Sequence, residues 1–408
     1  MKTLFVVLGT GMALAACSDA VAPPRAATTI TALPRPLTAS ERTLVTATGG
    51  FAFNLLRAET ARQPDSNVFL SPLSASAALG LTANGAAGTT LASMQTVLGL
   101  EGQSMASMDT AYQTLFALLT TLDPNVDITV ANAVWYDPRL SILPGFATRS
   151  QTFFNAPVTA LDFTSPAAVG TINNWVDHST GGKIPTLLAS IPPTWRVFLS
   201  DAVYFSAPWR QAFDATKTHT TAFYLASGAT TPITLMDGHD TVSAAATADY
   251  AAVDLPYGGG AFRMTIVLPA TGVSVDAVTA DLASGGWSSL VASLQPTVME
   301  VKIPKIQLAW QDHLNTALTS MGMGIAFTDL ADFSQLTTTP VEISDVVQKT
   351  YVSVDEQGTT AAAATGVGIS PTVAQVPFVV DRPYVFAIRE RLSGTVLFAG
   401  RIVTPPAA

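Results

Sequence analysis

In the first third of the chain the apolar positions return at helical spacing. Phe51, Phe53, Leu55 and Leu56 fall on such a repeat. Ser71-Pro72 predicts a helix start, because the missing N–H of proline costs nothing at the first helical position. Ala75, Ala78, Leu79 and Leu81 carry that helix to Asn84-Gly85, a stop signal. Thr89–Leu98 and Met108–Leu122 predict two more helices. Strand signals dominate beyond them: Ile128–Val130, Val197–Phe205, Ala251–Leu255, Phe262–Leu268, Val298–Ile303, Val376–Val380, Tyr384–Arg389 and Val396–Val403 alternate or run apolar. Gly258-Gly259-Gly260 predicts a hairpin turn. Helices first and strands later predict an α+β fold with antiparallel sheets rather than a βαβ repeat. From Ser40 onward no second linker and no internal repeat interrupts the pattern.

The chain has 408 residues, 48% hydrophobic and 12% charged, enough for one large core or two small ones. A net charge of −9 leaves no basic footprint for nucleic acid. The apolar excess is partly local. Lys2 precedes an apolar run, Leu4–Ala16, too short to span a bilayer. The run ends in Leu14-Ala15-Ala16-Cys17, which resembles the bacterial lipoprotein processing box. That resemblance implies a signal peptide over residues 1–17, lipidation of Cys17, and export to the cell envelope or surface. The alternative is an ordinary secretory signal. Cys17 is the only cysteine, so no intramolecular disulfide can form. Residues 18–40, rich in Pro, Ala and Thr, read as a semi-extended tether. Residues 41–408 read as the folded domain.

One segment has no use in ordinary cavity chemistry. After the strand-like Tyr351–Val354 comes Asp355-Glu356-Gln357-Gly358-Thr359-Thr360-Ala361-Ala362-Ala363-Ala364-Thr365. A plain Ala-rich helix or linker would account for it. So would a segment that must slide between two existing strands, where bulk would cost about 1–3 kcal/mol per position in overpacking. Gly358 would then supply a backbone pivot.

The order of motifs resembles the serpin family from about residue 40 to 405. Asn67–Ser74 is similar to the family's opening signature. Ala202–Trp209 is similar to the strand ending in the tryptophan at the insertion point, and the pattern continues through Phe213 to Phe223. Val253–Tyr257, Met264–Pro269, Val301–Lys305, Leu314–Met321, Ala331–Ser334, Ile343–Lys349, Arg382–Phe386 and Leu397–Ile402 follow in family order. The resemblance implies three β-sheets, eight or nine helices and an exposed reactive-centre loop. It also implies a metastable inhibitor of serine proteases, a suicide substrate rather than an enzyme, without cofactor or metal and monomeric. Its partner would be a target protease, held as a covalent acyl-enzyme. The membrane would be met only through the N-terminal lipid.

On this resemblance the hinge is Glu356, Gly358 and Thr359–Thr365. Inserted as a strand, the loop must alternate with period two. With Thr359 inward, Ala361, Ala363, Thr365, Val367, Ile369 and Pro371 share its face, small at the hinge and apolar beyond. Thr360, Ala362, Ala364, Gly366, Gly368 and Ser370 take the other. No bulky, charged or proline residue stands between Gly358 and Thr365. Family spacing from Glu356 puts the reactive bond at Thr372–Val373, with Ala374 the next candidate. The 25 residues from Gly358 to Pro383 fit the usual loop length. Thr372 suits a shallow apolar pocket, hence elastase-like or subtilisin-like targets. Discrimination by one methylene is worth only about 1–3 kcal/mol.

The chain departs from the family under the central sheet. Ser71 and Ser74 match two family serines, but Asp201 stands where an asparagine is usual and Gln348 where a histidine is usual. A buried carboxylate is costly unless paired, and a Gln amide can donate to it; the two are expected to pair. Trp209 is expected at the insertion point. Metalloprotease, Cys-x-x-Cys, phosphate-loop and Gly-x-Ser-x-Gly motifs are all missing. A non-inhibitory member serving as a surface binding module is the alternative function.

Overall fold

A computed structural model describes residues 28–359 and 376–405. Nine α-helices are described: α1 (Ala39–Arg62), α2 (Pro72–Ala83), α3 (Gly88–Leu98), α4 (Met105–Thr121), α5 (Pro144–Phe154), α6 (Ala168–Ser179), α7 (Val275–Asp281), α8 (Trp287–Ser293) and α9 (Asn315–Leu318). The strands are β1 (Val68–Leu70), β2 (Asp127–Tyr136), β3 (Val158–Ala160), β4 (Val197–Pro208), β5 (His219–Tyr224), β6 (Thr230–Ala246), β7 (Tyr250–Pro256), β8 (Phe262–Pro269), β9 (Gln295–Pro304), β10 (Ile306–His313), β11 (Asp345–Asp355), β12 (Gly358–Thr359), β13 (Phe378–Val379), β14 (Tyr384–Glu390) and β15 (Val396–Ile402).

The architecture is α+β and mainly antiparallel. β10, β11, β12, β4, β2 and β3 form one sheet in that order. The other strands run β1-β15-β14-β8-β7-β6-β9-β13, with β5 added to β6. Two of the three sheets expected from the family are thus joined into one network among the described residues. The join is the 17-residue β6: its start pairs β5, its middle β9, and its end, Ser243–Ala246, turns to β7.

Helix α1 begins with a complete capping box, the Thr38 hydroxyl accepting from Glu41 N–H and the Glu41 carboxylate from Thr38 N–H. Helix α2 is buried at every position and packs on β4, β2 and β15, so it lies between the sheets. An all-round apolar helix belongs inside a core. Within the stretch expected as a tether, residues 18–40, the described Ile30, Leu33 and Leu37 pack against the core ahead of α1.

Candidate functional site: a slot between two strands

The low end of the slot is closed. β4 and β11 pair in parallel from Phe198 with Asp345 to Val203 with Thr350. Beyond that they part, and β12 stands between them. Thr359 pairs with Val354 on one side and Ala207 on the other, and Gly358 with Asp355 and Pro208. The offset between β4 and β11 is the same across β12 as in the paired stretch, so the slot widens without a slip of register.

Gly358 permits this entry. Its φ is +153°, and a Cβ there would lie 2.2 Å from the Ala207 carbonyl oxygen and 2.6 Å from Pro208 Cα. Both obstacles are backbone atoms, so only glycine fits. The Asp355 carboxylate accepts the N–H groups of Gln357 (2.9 Å) and Gly358 (3.2 Å), folding the turn back on itself.

Trp209 marks the mouth. Its indole N–H donates to the Asp355 carbonyl at 2.9 Å, and its backbone N–H to the Gln357 carbonyl at 2.8 Å. Its ring stacks on Tyr257 at 4.3 Å, and the Tyr257 and Thr359 hydroxyls share a 2.6 Å hydrogen bond. Burial alone would raise the Glu356 pKa. The Lys305 ammonium at 2.8 Å and the Thr218 hydroxyl at 2.6 Å outweigh it and hold the carboxyl below its usual range.

Below the slot lies the Asp201–Gln348 pair. The two residues are register partners, and the Gln348 amide donates to Asp201 Oδ2 at 2.6 Å and to the Ser71 carbonyl at 2.9 Å. Its oxygen accepts the Ser71 N–H at 2.9 Å. The Ser74 hydroxyl donates to the other Asp201 oxygen, and the Ser71 hydroxyl to the Leu397 carbonyl at 2.8 Å. All four side chains are buried. Burial pushes the Asp201 carboxyl up to about 7, against the two hydrogen bonds that favour its charged form. The Ser74 hydroxyl can donate to the carboxylate or accept from the acid, so it can serve either state.

The structure therefore gathers Glu356, Gly358, Thr359 and Trp209 at one end of the slot, and Ser71, Ser74, Asp201 and Gln348 at the other. Thr360, Ala361, Ala362, Ala363, Ala364, Thr365, Thr372, Val373 and Cys17 lie outside the described residues. Sequence reasoning did not single out Tyr257, Lys305 and Thr218. Each lay within a quoted motif or segment, but no spacing brings them to the hinge.

The family model described as Serpin (serine protease inhibitor) matches residues 46–405. The leukocyte elastase inhibitor of Bos taurus is 32% identical over 371 residues, covering 87% of this chain and 97% of its own. Among solved structures, human thyroxine-binding globulin complexed with thyroxine superposes with a TM-score of 0.84 at 27% identity, covering 90% of this chain and 100% of that one. The native state of the thermophilic serpin tengpin gives 0.81 at 26% identity, covering 93% and 97%. With the fold, the slot and these likenesses in agreement, the chain belongs to the serpin family.

Proposed function

We propose that the chain inhibits serine endopeptidases as a suicide substrate. The reading is carried by β12, with Gly358 and Thr359 already seated between β4 and β11 above the stretch where those strands pair. A target protease would attack the Thr372 carbonyl, release the amine of Val373 and remain as an acyl ester. The freed loop would continue the antiparallel register of β12. Six residues beyond Thr359, Thr365 would then stand opposite the residues six back from Val354 and Ala207, which are Gln348 and Asp201. Ala361, Ala363 and Thr365 would follow the buried Thr359 on one face, where little has to be displaced. The trapped protease would lose the oxyanion and triad geometry that deacylation needs.

The small Thr372 and the likeness to an elastase inhibitor support elastase-like or subtilisin-like targets. The lipoprotein-like box supports attachment to the cell envelope through Cys17, testable by fatty-acid labelling lost in Cys17→Ser. The likeness to a thyroxine-bound relative favours a second reading, a carrier without inhibition.

The test is a denaturing gel of the protein mixed with an elastase-like protease. A denaturant-resistant band near the summed masses, with the released peptide starting at Val373, is the expected result. Cleavage in the loop without that band, and without a gain in thermal stability, would transfer the assignment to the carrier reading.

A further inference from the structure

The chain carries a net charge of −9, yet four arginines meet at the pole where Gly258–Gly260 turns. Two of them share one carboxylate. Arg389 Nη2 lies 2.8 Å and Arg263 Nη1 3.4 Å from Asp254 Oδ2, and Arg389 Nε also donates to the Thr265 hydroxyl at 3.0 Å. Among the described residues the other two have only neutral partners. Arg391 donates to the carbonyls of Gly260 (3.4 Å) and Ile30 (3.1 Å), and Arg210 to the Gly259 carbonyl (3.5 Å) and the Thr29 hydroxyl (2.5 Å). The nearby acids are committed elsewhere. Glu390 accepts the N–H groups of Leu392 and Ser393, and Asp123 those of Gly259 and Asn125.

Among the described residues, the four guanidinium groups thus bond one carboxylate directly, that of Asp254. Arg389 is 2% exposed, and its Nη1 is buried with no partner among the described residues. Arg263 Nε is also buried and unpartnered. A buried charged donor left unsatisfied is costly, and guanidinium forks match tetrahedral oxyanions with paired N–H groups. Burial, reinforced by the positive charges of Arg391, Arg389 and Arg210, pushes Arg263 below its ordinary pKa even though Asp254 pulls the other way.

We propose that Arg210, Arg263, Arg389 and Arg391 form a binding site for a phosphate group. β8 and β14 carry Arg263 and Arg389, while Arg210 follows β4 and Arg391 follows β14. The ligand is a phosphate compound in solution or a phospholipid headgroup.

The test uses the full chain carrying Cys17→Ala, so that no lipid is attached. Inorganic phosphate is titrated calorimetrically at constant ionic strength against a chloride control. Saturable one-to-one binding is expected, weakened at least about tenfold in Arg263→Gln/Arg391→Gln, since two charge-assisted pairs are lost. Arg263→Lys keeps charge and bulk while removing the fork; an intermediate affinity there supports the site even if the double variant folds poorly. In a second arm, vesicles of phosphatidylcholine with phosphatidylglycerol are sedimented with the protein. Capture that inorganic phosphate displaces assigns the headgroup, and phosphate binding without capture assigns a soluble compound. Failure of phosphate to saturate, or equal affinity in wild type, Arg263→Lys and the folded double variant, overturns the proposal.

Discussion

The Gln348 amide reaches Asp201 at 2.6 Å across the stretch where β11 and β4 are paired, and also bonds the backbone of Ser71, the residue just before helix α2. One side chain thus ties two strands of the sheet to the helix beneath them. Gln348→Ala would leave Asp201 Oδ2 and the Ser71 N–H without a partner, at about 1–3 kcal/mol for a group left buried and unsatisfied, while the Ser71 carbonyl keeps the Ala75 N–H at 3.1 Å. Urea unfolding should show a lower midpoint, and the inhibition stoichiometry should shift towards simple cleavage. Unchanged values in both would mean that the pair does not control how the strands part.

Stability should depend on pH through the same carboxyl. Asp201 has a folded-state pKa raised to about 7 from an ordinary 3.8. Between those values the folded chain holds a proton that the unfolded chain has lost, so its contribution declines as pH rises through that window and levels off above it. Glu59, buried and likewise raised to about 7, adds in the same direction. Melting temperature should therefore fall from pH 5 to pH 8, and Asp201→Asn should flatten the slope. An unchanged slope in that variant would assign the effect to Glu59 or elsewhere.

Gly358→Ala should expel β12 from the slot. The added methyl would meet the backbone at 2.2 Å, and the φ of +153° suits only glycine. Strain of this kind costs about 1–3 kcal/mol. Loss of stability should come with a change in Trp209 fluorescence, since Trp209 bonds both Asp355 and Gln357.

Thr365→Arg should separate cleavage from trapping. Continued register brings residue 365 between Gln348 and Asp201, where a guanidinium would need room and a partner. Cleavage after Thr372 should persist while the covalent band and the rise in melting temperature disappear. A full yield of complex would show that insertion stops short of that depth.

Much of the fold was legible because its elements have strong local periods. The four N-terminal helices and the strands β2, β4, β7, β8, β9, β14 and β15 lie where apolar spacing predicted them, within a few residues. Among the elements missed were β5 and the long β6, whose Thr-rich and Gly-containing stretches lack a continuous apolar face, and α6, whose buried face is only Ala168, Ile172 and Val176. The slot itself has no local signature. Tyr257 and Thr359 are 102 residues apart and meet only because Trp209 and Tyr257 stack at the same pole. The Asp201–Gln348 pair could be named beforehand only through family resemblance, as the 147 residues between them carry no spacing rule.

The N-terminal segment enters the body beside the base of the loop. Ile30 N–H bonds Gly259, Gly258 N–H bonds Pro208, and Pro208 is the register partner of Gly358. The described start of the chain and the base of the hinge therefore share one end of the molecule. Ten residues, 18–27, separate Cys17 from the first described residue, and an extended chain spans at most about 3.6 Å per residue. Tied at Cys17, the protein would hold the base of its loop, Gly358, within a few nanometres of the bilayer. On the proposed anchoring and inhibition, it would meet enzymes grazing the membrane surface before those in open solution.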